Sequence, residues 1–336
     1  MGPRKVLFAL DESQHSRAAV DAAFSTYCCL LSDEIHLVAV IPPIADAVVG
    51  PIGSAAVVYL SSLKHVQQQM VMEEAKAKTM LELACDLIIQ DYKIPSQQVH
   101  THVLPTDGGA SGVSGTLLAA AKREGVDMIV TGSRGMGGGK SSLMSLVGLG
   151  SVGDALVKNC PCPVLLVRED PSRKRHVQGG KRVCVAYDAS PAADRALCWA
   201  VQNVLQPTDE LHILYVLDLP SPFPVLLEPV TMLYRNEDRM QADAQVVNDA
   251  GIAVAAAVAA AVAQGVSPAN ITSVVLKNSN AGKEVAAYSD SHDIDVVVCG
   301  SRGMGAVKRA LDSLVGLGSI SMHLAHSLHG ILAVVR

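Results

Sequence analysis

Aromatic residues are scarce: one Trp, seven Tyr and three Phe in 336 residues, 3% of the chain. No interleaved aromatic and basic stripe exists on which bases could stack. A net charge of −5 argues against a surface built to neutralise phosphates along a nucleic acid. The one basic cluster, Arg173 to His176 with Lys181 and Arg182, is short and is interrupted by Gly179 and Gly180. The eight cysteines, at 28, 29, 85, 160, 162, 184, 198 and 299, form no CxxC pair and match no zinc spacing. They read as reduced, mostly buried thiols of a reducing compartment.

Long apolar runs are also missing. The strongest helical one, Ile252 to Ala263, has 12 residues. At 1.5 Å per residue it reaches about 18 Å, against roughly 30 Å for a bilayer core. The N-terminal run in MGPRKVLFALDES is too short for a secretory leader. The expected location is the cytoplasm.

What the chain does have is apolar aliphatic mass. Hydrophobic residues make up 49% and charged residues 18%, which excludes a mainly disordered chain. At about 100–200 residues per domain, the length suggests two domains. Val, Leu, Ile and Ala must build their cores, which suits parallel sheets buried on both faces.

The chain repeats itself. Residues 132–151, GSRGMGGGKSSLMSLVGLGS, and 300–319, GSRGMGAVKRALDSLVGLGS, share 15 of 20 positions. Other segments follow in the same order. KVLFALDES at 5–13 answers to RVCVAYDAS at 182–190, LSDEIHLVAVI at 31–41 to PTDELHILYVL at 207–217, and GVDMIVTG at 125–132 to DIDVVVCG at 293–300. The expected domains are 1–170 and 181–336, joined by a linker at 171–180.

Each half alternates strand-like and helix-like segments. In the first, strands are expected at Lys5 to Leu10, Glu34 to Ile41, Val99 to Leu104, Met128 to Thr131 and Val164 to Val167. Helices are expected from Ser13, a capping residue, to about Leu30, then over 65–91, Gly115 to Glu124 and Ser151 to Asn159. The uncharged stretch Ala47 to Leu63 reads as a loop, as does PSPFPVLLEPV at 220–230. Alternation of this kind predicts α/β architecture, two tandem doubly wound domains each with a five-stranded parallel sheet. Ligands of such sheets bind beyond the carboxyl ends of the strands, where strand order reverses. That directs attention to Asp11, Val40 and the loop after Thr131.

This loop is rich in glycine. Gly132 and Gly135 can take positive φ and carry no Cβ to block a ligand. Gly150 and Ser151 open a helix whose free N–H groups and dipole favour a phosphate. The second half supplies Gly300, Gly303, Gly318 and Ser319 at the matching places. A Walker loop would need glycine at position 134, which is Arg134. A dinucleotide fingerprint at Gly148, Gly150 and Gly153 does not follow a strand directly, and it fails in the second half, where position 321 is Ser. A glycine-rich turn with a capped helix and no ligand is the plainer alternative.

With these motifs the chain resembles the universal stress protein family in a tandem form. The marks are Gly-x-x-Gly, an interval, then Gly-Ser after the fourth strand, with an Asp ending the first strand and a CPVLLV-type last strand. The resemblance covers nearly all of the chain outside the linker. It implies a Rossmann-like fold of the adenine nucleotide alpha hydrolase type and ATP or another adenine nucleotide as ligand. Mg²⁺ would come with the polyphosphate, with no dedicated protein ligand legible. Ala9, Asp11 and Val40 would lie at adenine and ribose, and Gly132, Gly135, Gly150, Ser151 and Val152 at ribose and phosphates. The second site would use Ala186, Asp188, Val216, Gly300, Gly303, Gly318, Ser319 and Ile320. Arg134 and Arg302 either touch phosphate or stay solvated. The resemblance also implies pairing of the two copies within the chain through their final strands, and it admits a homodimer.

Two departures stand out. Fourteen residues separate Gly135 from Gly150 and Gly303 from Gly318, about five more than usual. HSLHGILAVV at 326–335 lacks the form CPCPVLLV of 160–167. No nucleophile elbow or acid/base carboxylate pair is legible. The expected role is a stress-response binding or signalling module. Weak ATP hydrolysis or nucleotidyl transfer on the same scaffold is the alternative. His323, His326 and His329 recur every three residues without a neighbouring carboxylate or thiol, a poor metal pattern.

Overall fold

A computed structural model describes residues 3–26, 32–41, 55–106, 112–133, 151–168, 180–217, 231–277, 280–301 and 319–336. The chain parts into two compact units between Glu169 and Asp170.

The first unit runs β1 (Lys5–Leu10), α1 (Gln14–Thr26), β2 (Glu34–Ile41), α2 (Ala55–Asp91), β3 (Val99–Pro105), α3 (Gly112–Glu124), β4 (Met128–Gly132), α4 (Ser151–Asn159) and β5 (Val164–Arg168). Its strands lie in the order β3-β2-β1-β4-β5, all parallel. The reversal of order falls between β1 and β4. Val6, Leu7, Phe8, Ile35, Leu37, Ile129, Val130 and Leu165 are buried in it, the continuous apolar strands that a sheet covered on both faces requires.

The second unit repeats this as β6 (Arg182–Tyr187), α5 (Pro191–Asn203), β7 (Glu210–Leu217), α6 (Thr231–Ala263), β8 (Ile271–Lys277), α7 (Ala281–Ser291), β9 (Val296–Gly300), α8 (Ser319–Ser327) and β10 (Gly330–Val335). Its order is β8-β7-β6-β9-β10, again parallel. The helix α5 shows how the sequence sets such an element. Ser190 caps it, accepting from the Ala193 N–H at 3.1 Å, and Pro191 pre-sets φ in the first turn. Ala192, Ala193, Ala196, Leu197 and Ala200 form its buried face, small enough to bring the helix close to the sheet.

Both units anchor the start of the first strand by the same device. Arg4 grips the buried Asp33 through two hydrogen bonds, of 3.2 and 2.7 Å. In the second unit Asp209 takes the Lys181 ammonium at 2.5 Å, the Lys181 N–H at 2.7 Å and the Gln206 N–H at 2.8 Å. Every charge taken out of water there has a partner, which is the condition for burying it.

The structure corrects two expectations. α2 begins at Ala55, not near 65, so residues 55–63 of the supposed loop are helical; residues 42–54 and 220–230 lie outside the described residues. α6 carries a 20-residue stretch, Ala244–Ala263, long and apolar enough by length and composition to cross a membrane, where the sequence suggested 12 residues. Its buried line, Ala250, Val254, Ala257 and Ala261, belongs to a helix packed on β7 and β8. The expected end of α1 near Leu30 lies outside the described residues, which carry the helix to Thr26.

Candidate functional site

At the reversal of strand order in the first unit, Ala9 of β1 pairs with Val38 of β2 on one side and Thr131 of β4 on the other. Val40 lies two residues further along β2, and Gly132 ends β4. Asp11 follows β1 directly. Four of the residues singled out in the sequence therefore share one carboxyl edge. Ser151 and Val152 open α4, and Ser151 is exposed. Arg134, Gly135 and Gly150 lie outside the described residues.

Asp11 has a local task. Its Oδ1 accepts from the Ser13 N–H at 3.0 Å, the Ser13 hydroxyl at 2.5 Å and the Ser16 hydroxyl at 2.6 Å. The Asp11 N–H in turn donates to Ser16 Oγ at 2.9 Å. Ser13 caps α1, accepting from the Ser16 N–H at 3.3 Å. One carboxylate oxygen thus builds the turn that carries the chain from β1 into α1.

Gly132 differs from its expectation. It is not among the glycines with positive φ. It is glycine because α1 lies against it: a Cβ there would stand 3.0 Å from the carbonyl carbon, Cβ and carbonyl oxygen of His15. Helix packing is enough by itself to account for the missing side chain. His15 was not singled out in the sequence; its only signal is its place in the first turn after Asp11. Among the described residues, its buried Nδ1 has no hydrogen-bond partner, and neither has Ser133 Oγ at the end of β4. Buried polar atoms are normally satisfied, so the partners of these two lie beyond the described residues or in a ligand.

The second unit repeats the edge with different side chains. Ala186 pairs with Leu214 and Cys299, Val216 lies two residues past Leu214, and Gly300 ends β9. Asp188 accepts from the Ser190 N–H at 3.1 Å, and Ala189 between them has φ 58°. Gly300 also lacks positive φ and sits still closer to its helix, with its would-be Cβ 2.8 Å from the Ala192 carbonyl carbon and oxygen. Ser319 and Ile320 open α8. Arg302, Gly303 and Gly318 lie outside the described residues.

Electrostatics here favour neutral groups around Asp188. Burial first, then Asp188, pushes the Cys299 thiol up to about 12, so it is no thiolate nucleophile at neutral pH. Burial and the bond from its hydroxyl to Asp194, 2.6 Å, push Tyr187 up as well. Burial and Asp188 do the same to Tyr215. In the first unit an acidic residue, Asp154, sits in the first turn of α4 and is paired with Lys158 at 2.8 Å. The matching residue of α8 is Met322.

Among the described residues, no three His, Cys, Asp or Glu side chains group to hold a metal ion. His323 instead packs over α7, where a Cβ on Gly282 would meet its Cβ at 2.7 Å.

The sequence profile described as Universal stress protein family matches residues 2–168 and again 180–336. Among solved structures, the chain is similar to a universal stress protein from Archaeoglobus fulgidus DSM 4304. The two are 19% identical over 100% of this chain and 97% of that one, with a TM-score of 0.56. A putative universal stress protein from Pseudomonas aeruginosa UCBPP-PA14 aligns at 12% identity over 99% of this chain and 93% of its own, with a TM-score of 0.50. No curated protein matches the chain. At these identities the structural likeness speaks for the fold, and the twofold profile match for the family.

Proposed function

The chain belongs to the universal stress protein family, and from that premise we propose that it is a stress-response module binding one adenine nucleotide, ATP, in each unit. The base and ribose lie by Ala9, Asp11 and Val40, and by Ala186, Asp188 and Val216. The phosphates lie along the loop that begins at Gly132 and ends at Gly150, Ser151 and Val152. In the second unit they follow Gly300 to Gly318, Ser319 and Ile320.

One observation carries the reading. At the point where strand order reverses, both units repeat an Asp-anchored turn after the first strand and a side-chain-free end to the fourth. Both follow these with a nine-residue helix that opens on serine. The first N–H groups of such a helix have no partner within it and attract an anion. His15 Nδ1 and Ser133 Oγ, buried and without a partner among the described residues, add capacity on the first unit's edge.

The geometry narrows two roles. Gly132 and Gly300 have their Cβ sides filled by α1 and α5, so only their backbone groups can face a ligand. Asp11 Oδ1 is occupied by its turn. Mg²⁺ would arrive with the triphosphate and take phosphate oxygens and water as ligands. A cytoplasmic location, where thiols such as Cys184 and Cys299 stay reduced, belongs to the same proposal.

Native mass spectrometry of the freshly purified chain tests it. Retained ATP supports the binding module. ADP accompanied by steady turnover would make the protein an enzyme, and a chain that stays empty in excess ATP would overturn the proposal.

A further inference from the structure

Near the amino ends of β2 and β3, away from the carboxyl edge, three imidazoles meet. His36 stands directly across from His100, and His102, two residues on, shares its face of the sheet. His36 Nδ1 is 3.2 Å from His102 Nε2. The two rings are 13° from parallel with centroids 5.4 Å apart. So wide a centroid spacing beside so short an N···N distance means that the rings meet edge to edge, one nitrogen donating and the other accepting. His100 tilts over His36 with centroids 5.1 Å apart.

This is not chelate geometry. A metal shared by two imidazoles needs both lone pairs aimed at a third point, and here they aim at each other. What the contact shares is a proton. With none added, one ring donates and its partner accepts. With one added, an imidazolium donates to a neutral ring, a stronger bond. With two, both nitrogens carry N–H groups and the contact turns repulsive.

The charges acting on the pair come from several elements. Lys5 on β1 and His100 on β3 oppose a proton on His36, and Glu124 at the end of α3 favours it. Glu34 on β2 lies 4.0 Å from His36 Nε2. Glu124 also favours a proton on His102, while Arg123 and His100 oppose it. Among the described residues α2, which packs on the same strands, adds none of these charges. Burial is the largest influence on both rings and holds each below the ordinary histidine value.

The second unit provides a contrast within one molecule. His212 holds the place of His36, third in its strand, but its Nδ1 meets the Tyr288 hydroxyl at 2.9 Å, and Tyr288 stacks on His292 at 3.8 Å. A phenol can turn its oxygen lone pair toward a protonated ring, so this contact accommodates a proton. Burial holds His212 too below the ordinary value, with Glu210 favouring its proton and His292 and Arg182 opposing it. The contrast therefore lies in the contact and not in burial.

We propose that His36 and His102 form a proton-sensitive clasp on β3, the outermost strand of the first unit's sheet. The clasp holds with no proton or one added to the pair and opens when each ring carries its own. A histidine kept neutral in the fold binds fewer protons than in the unfolded chain. The stability the clasp contributes is therefore complete above the ordinary value of about 6.5 and is lost as pH falls through the lowered value at which the second of the two rings takes its own proton.

Hydrogen exchange of the full chain between pH 7.5 and 5, corrected for intrinsic exchange rates, tests the clasp. Protection of residues 99–105 is expected to fall several-fold more than that of 271–277. His102→Gln, which can still bond His36 but takes up no proton, is expected to abolish the excess. Equal losses in both strands, or an excess unchanged by His102→Gln, would overturn the proposal. Should that variant not fold, an NMR titration of the wild-type imidazoles decides. Two coupled steps, the second clearly below the first, support the clasp, and two independent steps at the ordinary value refute it.

Discussion

Gly300 lies so close to Ala192 that any side chain on it would stand 2.8 Å from the Ala192 carbonyl. Backbone, not a movable side chain, fills that space. Gly300→Ala is therefore expected to push α5 off the end of β9 and lower stability by about 1–3 kcal/mol, the usual cost of overpacking. Gly132→Ala, with 3.0 Å to His15, should lose less. Urea unfolding of both variants measures the difference. Equal, negligible losses would show that these glycines answer to something other than the helices.

Asp209 is expected to be among the least replaceable residues of the second unit. It is 2% exposed and holds three donors, two of them on Lys181. Asp209→Ala leaves the Lys181 ammonium without its carboxylate and should cost about 3–5 kcal/mol. Thermal unfolding followed by circular dichroism reads this directly.

Asp11→Ala removes the acceptor of three hydrogen bonds and should lower stability by about 1–2 kcal/mol. Asp11→Asn keeps an acceptor oxygen and should recover most of that loss. If it also keeps nucleotide affinity, Asp11 serves only the turn.

Asp154→Asn should raise nucleotide affinity in the first unit. It removes a negative charge from the first turn of α4, where anions are otherwise favoured by about 0.3–1 kcal/mol. The bond from Lys158 already offsets part of that charge, so the gain should fall at the lower end. Titration calorimetry resolves it against an unchanged second site.

The architecture was readable because each strand is an apolar run between charged residues, prolines or glycines, and because it occurs twice. β1, β2 and α4 keep the bounds that their sequences suggest. The beginning of α2 was not readable. AAVVYLSSLK at 55–64 has no polar face to give a period, and a run without a period passes for a loop near Pro51 and its neighbouring glycines. The apolar stretch of α6 looks shorter in the sequence because Gln245, Asn248, Asp249 and Gly251 interrupt its first half. At the site, the pattern of Gly132 was visible but its cause was not, since the demand comes from His15 across the fold. The His36–His102 contact likewise exists only once β2 and β3 are in register. Asp33 and Asp209 recur in the repeat, but nothing in their own segments names Arg4 or Lys181 as partners.

The most direct test of the duplicated nucleotide site is the stoichiometry of ATP binding to the full chain by titration calorimetry. Two nucleotides per chain are expected, falling to one in Gly135→Val or Gly303→Val, where a side chain would enter the loop assigned to phosphate. A chain that binds no ATP, or whose stoichiometry survives both substitutions together, would contradict the account.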